Sequence, residues 1–195
     1  MTVAMSAPDN DLHLKETQLD SELAFQGSFL KISRDTVQLP NGKQTAREYV
    51  RHPGAVVVLP LFEDGSLLME RQYRYPLHRV FIEFPAGKID LNEDPLLCAQ
   101  RELEEETGYT ASDWQYVCTI HNAIAYSDEF LNLYLARGLT AGKAKLDEEE
   151  FLETYRTSLP ELLEGVRLGQ ITDVKTVIGI FWLEKILSGA WPANS

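Results

Sequence analysis

The sequence predicts a mixed α/β sandwich preceded by a small antiparallel sheet, and three observations carry that expectation. Strand-like segments occupy the middle of the chain with helical segments before and after them, the order of an α/β/α layered domain with a mixed sheet. Ala55-Val56-Val57-Val58-Leu59 is a continuously apolar run of strand length, the mark of a buried strand. Ahead of it, short alternating segments flank Pro40-Asn41-Gly42-Lys43, a turn sequence that joins strands into a hairpin. The expected divisions are a flexible tail over 1–12, a small sheet over 13–52 and the main domain over 53–195.

Taken in order, the polar Pro-Asp-Asn cluster near the start reads as a loosely held tail. From Leu23 the pattern alternates, with strand-like runs at 29–34, 36–39 and 46–50. Pro53-Gly54 punctuates the chain before the apolar run, and Asp64-Gly65 turns it into a second strand over 66–73. A third is expected over 80–84. Asp94-Pro95 has the form of an N-cap and first helical residue, opening a helix that runs to Thr107 and stops at Gly108. Strands are expected near 114–120 and 130–136. Ser158-Leu159-Pro160-Glu161 fits a capping box for a helix to about Leu168. Asp173 precedes a last helix whose Val174, Val177, Ile180, Phe181, Leu183 and Leu187 form one broad apolar side.

Composition narrows the function classes. The 195 residues carry a formal charge of -12, with 30 acidic against 18 basic side chains, which argues against holding nucleic acid by phosphate neutralisation. An acidic surplus suits a protein that recruits cations. Cys98 and Cys118 form no CxxC pair and read as reduced thiols, and the four histidines show no ligand spacing. The N-terminus lacks the basic and apolar regions of a secretory signal, and no apolar run approaches the ~20 residues of a membrane span. A cytoplasmic protein with no membrane or nucleic-acid partner is therefore expected.

The chemistry concentrates between Gly87 and Tyr109. Glu102, Glu105 and Glu106 stand at i, i+3 and i+4, so a helix presents their carboxylates from one face. Like charges at that spacing repel by roughly 0.2–0.5 kcal/mol per pair. They also sit near the helix C-terminus, where the macrodipole disfavours negative charge. A hard divalent cation, Mg²⁺ or Mn²⁺, takes oxygen ligands and answers both penalties.

This stretch resembles the Nudix box, G-x5-E-x7-R-E-U-x-E-E-x-G-U with U a bulky aliphatic residue. Gly87, Glu93, Arg101, Glu102, Leu103, Glu105, Glu106 and Gly108 fall on its fixed positions, and Tyr109 departs at the final aliphatic place. The resemblance implies a hydrolase that holds divalent metal against the diphosphate of a nucleoside diphosphate joined to another group. It implies Glu102 and Glu106 as metal ligands, with Glu105 a further ligand or water-orienting group. Arg101 then braces the glutamates, and Glu93 and Gly87 shape the loop.

Outside the box, Gln72-Tyr73-Arg74 and Glu83-Phe84-Pro85-Ala86-Gly87 are similar to stretches of the ADP-ribose pyrophosphatase branch. That likeness implies hydrolysis of ADP-ribose to AMP and ribose 5-phosphate, with Arg74 on phosphate and the Ala86 carbonyl as another metal ligand. Arg47-Glu48 resembles a pair that helps form the nucleoside site, in a branch whose N-terminal sheet is exchanged across a homodimer. The acidic loop 146–151 looks like the one that supplies the base, here Glu148, and a ligand, here Glu150. The branch often carries S-P-G beyond the box, which 123–129 lacks, although Glu129 occupies a glutamate position that serves substrate binding. GDP-mannose, a dinucleotide coenzyme or an oxidised nucleoside triphosphate are the alternative substrates. A sensor that binds ADP-ribose without cutting it is the non-enzymatic alternative.

Overall fold

A computed structural model describes residues 11–146 and 149–191 and divides them into two compact units. The first holds residues 11–52 with 123–128, a loop that the sequence places inside the second domain. Its strands β1 (Thr17–Gln26), β2 (Lys31–Gln38) and β3 (Gln44–Arg51) form an antiparallel meander. β2 is one strand where two short runs are expected, and β1 starts six residues ahead of the expected alternation at Leu23. Every residue of β1 is exposed, so no alternation of burial marks it. The loop joins this unit through Val50 N–H, which donates to Tyr126 O at 2.9 Å, and His52 N–H, which donates to Asp128 Oδ1 at 2.7 Å.

The second unit contains two sheets. One has the order β7 (Ala86–Lys88), β4 (Ala55–Pro60), β9 (Leu131–Ala141), β8 (Tyr109–Ile120), with β4 and β9 parallel and the other pairs antiparallel. The other has the order β10 (Leu152–Ser158), β5 (Ser66–Arg74), β6 (Arg79–Glu83) and is antiparallel throughout. β7 and β10 are not expected from the sequence: β7 is only three residues long, and β10 carries polar side chains in both phases of its alternation.

The apolar run of β4 is buried throughout, and period two splits it. Val57 and Leu59 pack with Leu67, Met69, Leu133, Leu135 and the helices α2 (Leu159–Arg167) and α3 (Val174–Leu187). Val56 and Val58 pack on the opposite face with Cys98, Ala99 and Leu103 from α1 (Pro95–Glu102) and the turn after it. The mixed sheet therefore has a helix layer on each side. Its caps are those the sequence predicts: Asp94 accepts from the N–H groups of Leu96 and Leu97, Ser158 and Glu161 close a capping box, and Asp173 accepts from Thr176 N–H. The apolar side of α3 is narrower than expected, because Val174, Phe181 and Leu187 are exposed while Ile180 and Leu183 fill the core. Among the described residues no helix is long and apolar enough to cross a membrane.

Candidate active site

The helix that carries the acidic run ends differently from expectation. α1 is regular to Glu102, and Leu103–Thr107 then form a single wide π-turn that closes at Gly108, φ 76°. Such turns insert one extra residue into a helix and recur at functional sites. Here it carries Glu105 and Glu106 directly past Glu102, with Leu103 turned into the core.

Arg101 holds this arrangement. It donates to both oxygens of Glu93 at 2.8 and 3.0 Å and to Glu105 Oε2 at 3.0 Å, and lies 2.8 Å from Glu102 Oε1. The hydrogen bonds from Arg101 hold the Glu93 carboxyl down at about 2, and Glu93 in turn accepts from Asp90 N–H, so the loop after β7 is pinned to the helix. Gly87 explains the residue that opens the run: a Cβ there falls 1.8 Å from Cδ of Glu102. The carboxylate occupies the space that any side chain at 87 needs. Gly87→Ala is therefore expected to keep the fold while displacing Glu102, with a loss of about 10²-fold in turnover. Thermal melting beside steady-state kinetics checks this; unchanged turnover defeats it.

Apart from Glu93, these residues line a polar cavity of about 380 Å³. Glu102, Glu105, Glu106, Glu150 and Asp90 supply its acids, and Arg101, Lys88 and Lys145 its cations, beside Ala86 and Gly87. Glu106 is 5% exposed and accepts from Ala86 N–H at 3.1 Å. Burial, reinforced by the charges of Glu70 and Glu102, pushes its carboxyl well above the usual range. Glu102 is raised as well, by burial first. Glu150 also borders an adjoining groove of about 410 Å³ walled by Tyr73, Val80, Leu146 and Phe151.

Of the residues singled out in the sequence, Ala86, Arg101, Glu102, Glu105, Glu106 and Glu150 meet at this cavity. Arg74 does not line it and instead makes a two-point pair with Glu83, at 2.7 and 2.8 Å. Glu129 accepts from Asn122 at 2.9 Å. Arg47 and Glu48 belong to the first unit, where Arg47 pairs with Glu16 and Glu48 faces Arg34 at 3.6 Å. Glu148 lies outside the described residues. Glu70, Lys175 and Asp173 were not singled out as site residues. Glu70 is signalled in the sequence by a lone acid closing the apolar run Leu67-Leu68-Met69, whereas nothing local distinguishes Lys175.

The donor set fits a hard cation. Among the described residues no group of three or more His, Cys, Asp or Glu side chains is placed to hold a metal ion by itself. The carboxylates are an open array beside a cavity, and burial first, then neighbouring acids, make Glu102 and Glu106 reluctant to ionise. An open oxygen array suits an ion that completes its shell with water and substrate phosphate.

Comparison with known proteins agrees with this geometry. Residues 50–173 match the NUDIX domain family, and residues 16–50 match the nucleoside diphosphate sugar hydrolase N-terminal domain. The chain belongs to the Nudix family. Nudix hydrolases generally work with divalent metal ions. The chain is 40% identical to a methanol dehydrogenase activator of Bacillus methanolicus, over 87% of its own length and 93% of the relative's. It is 39% identical to an ADP-ribose pyrophosphatase of Bacillus subtilis, over 88% and 94%. An ADP-ribose pyrophosphatase of Mycobacterium tuberculosis is 34% identical, over 88% and 84%. The crystal structure of an ADP compounds hydrolase superposes with a TM-score of 0.81 at 25% identity, covering 90% of this chain and 96% of the other.

Proposed function

We propose that this Nudix chain hydrolyses ADP-ribose or a closely similar nucleoside diphosphate sugar, adding water across the pyrophosphate bond to give AMP and ribose 5-phosphate. The observation that carries the reading is the acidic cavity: five acids gather beside Gly87, and a groove with aromatic and aliphatic walls opens from the same Glu150. A charged centre beside an organic arm has the shape and chemistry of a nucleotide sugar. The likeness to two ADP-ribose pyrophosphatases, over 88% of this chain in each case, supports that substrate class.

Glu102, Glu106, Glu150 and the Ala86 carbonyl are the groups we assign to Mg²⁺ or Mn²⁺. When bound, the cation supplies neutralisation of the diphosphate and acidification of water. Arg101 keeps Glu102 and Glu105 in place through its hydrogen bonds and ion pair. Glu105 orients the attacking water, and Glu148 accepts its proton. Arg74 is assigned to a substrate phosphate, and Arg47, Glu48 and Glu129 to the remainder of the substrate. A homodimer belongs to the same reading: Leu19, Leu23 and Phe25 of β1 are 48%, 52% and 52% exposed, an apolar surface suited to a second copy of the N-terminal sheet.

The test is a panel of ADP-ribose, GDP-mannose, NADH, diadenosine polyphosphates and 8-oxo-dGTP with Mg²⁺, products separated by chromatography. ADP-ribose is expected to be cut fastest, to AMP and ribose 5-phosphate, and not at all in EDTA. A faster reaction with another compound reassigns the substrate; binding of ADP-ribose without any cleavage makes the chain a sensor.

A further inference from the structure

The box acids do not account for every carboxylate near Glu106. Glu70 stands on β5, outside the box, 32 residues before Glu102 in the chain. It is 3% exposed, and its Oε1 has no hydrogen-bond partner. The strand register sets it opposite Glu83, but the Glu83 carboxylate already takes hydrogen bonds from both Arg74 and Lys175. The Glu106 carboxyl is near enough to Glu70 that the Glu70 charge helps to raise it.

Asp35 supplies the contrast. Its Oδ1 is the other buried side-chain oxygen without a partner among the described residues, yet its Oδ2 receives donors from Gln18 and Tyr49, each at 3.0 Å. Glu70 has an acid where Asp35 has donors. A buried carboxylate oxygen that no donor answers is costly. Divalent cations take such oxygens readily, and one or two carboxylates with water and phosphate suffice.

We propose that Glu70 is a metal-site residue outside the Nudix box, holding a divalent cation together with Glu106, which lines the acidic cavity. The inference rests on the assignment of the box glutamates to metal. It adds a ligand that no spacing rule of the box contains, because a different strand delivers it.

The test is Mn²⁺ binding to the full chain, followed by the electron paramagnetic resonance of the free ion, for the wild type, Glu70→Gln and Glu106→Gln. Thermal melting in EDTA accompanies it. Glu70→Gln is expected to melt in EDTA at or above the wild-type temperature, because a buried charge is gone, and to bind Mn²⁺ about tenfold more weakly or worse. Wild-type Mn²⁺ affinity in Glu70→Gln, with affinity lost in Glu106→Gln, overturns the proposal and leaves Glu70 sharing a proton with Glu106. Wild-type affinity in both variants overturns the metal assignment at the box itself, a separate failure. Should the Gln variant not fold, Glu70→Met is titrated instead. Loss of the fold in both variants also overturns the proposal, since it marks Glu70 as a structural acceptor.

Discussion

Glu106→Gln is expected to lose about 10³-fold in turnover, roughly 4 kcal/mol of barrier, while its metal-free form becomes more stable than the wild type. The two effects have one origin. Glu106 is 5% exposed, near Glu70 and Glu102, and accepts from the backbone N–H of Ala86. Without metal, its charged form is disfavoured by burial first and by the neighbouring acids next. Glutamine keeps the shape and can accept the Ala86 bond, but carries no charge to place beneath a cation.

The sign of the pH dependence follows. A carboxyl raised in the folded state binds more protons there than in the unfolded chain, so its contribution is complete below the unfolded value, about 4.3, and is lost as pH rises through the folded one. Metal-free wild type should therefore melt at falling temperature as pH is raised above that point. Glu106→Gln should show a flatter profile, and saturating Mg²⁺ should flatten the wild-type curve. Melting scans in EDTA and in Mg²⁺ over a pH series, with kinetics at saturating substrate, measure all three. Turnover within a few-fold of wild type defeats the assignment.

How much of this was legible in the sequence depends on how far each interaction reaches along the chain. The box was legible because its chemistry is local: Gly87, Glu93, Arg101 and the glutamates lie within one loop and helix, where turn geometry fixes their spacing. The helix starts were legible for the same reason, since Asp94, Ser158 and Asp173 each cap an amide two or three residues away. The π-turn at Leu103–Thr107 was not, because an apolar period of three to four residues is compatible with either turn. β1 and β10 carry no burial alternation to read: β1 is exposed along its length, and β10 has no buried residue. Glu70 and Lys175 act through partners that only the folded strands and helices supply. Glu83 meets Glu70 through sheet register and Lys175 across 92 residues of chain.

Lys175→Met is expected to lower stability by about 3 kcal/mol, a fall of roughly 6–12 °C in melting temperature for a chain of this size. Lys175 is 9% exposed and Glu83 3%. The lysine Nζ donates to Glu83 and, at 2.9 Å, to Asp173, the N-cap of α3. In the next position Thr176 Oγ1 accepts from Phe84 N–H at 3.2 Å. The first turn of α3 thus grips residues 83–84, immediately before Ala86 and Gly87 of the cavity. Removing the lysine leaves a buried carboxylate with Arg74 alone, so the loss stays at the low end of what an unpaired buried charge costs. Burial alone would raise the Glu83 carboxyl, but Arg74 and Lys175 together hold it below its usual value. Stability from a lowered carboxyl is present above the unfolded value and disappears as pH falls through the folded one, so the gap between wild type and variant should narrow below about pH 4.3. Urea denaturation at neutral and acid pH measures the gap. Adding Glu83→Gln to Lys175→Met should recover part of the loss, because it withdraws the charge that the first change leaves stranded. A double variant no more stable than Lys175→Met alone would show that the lysine acts through Asp173 and the helix cap, independently of the buried glutamate.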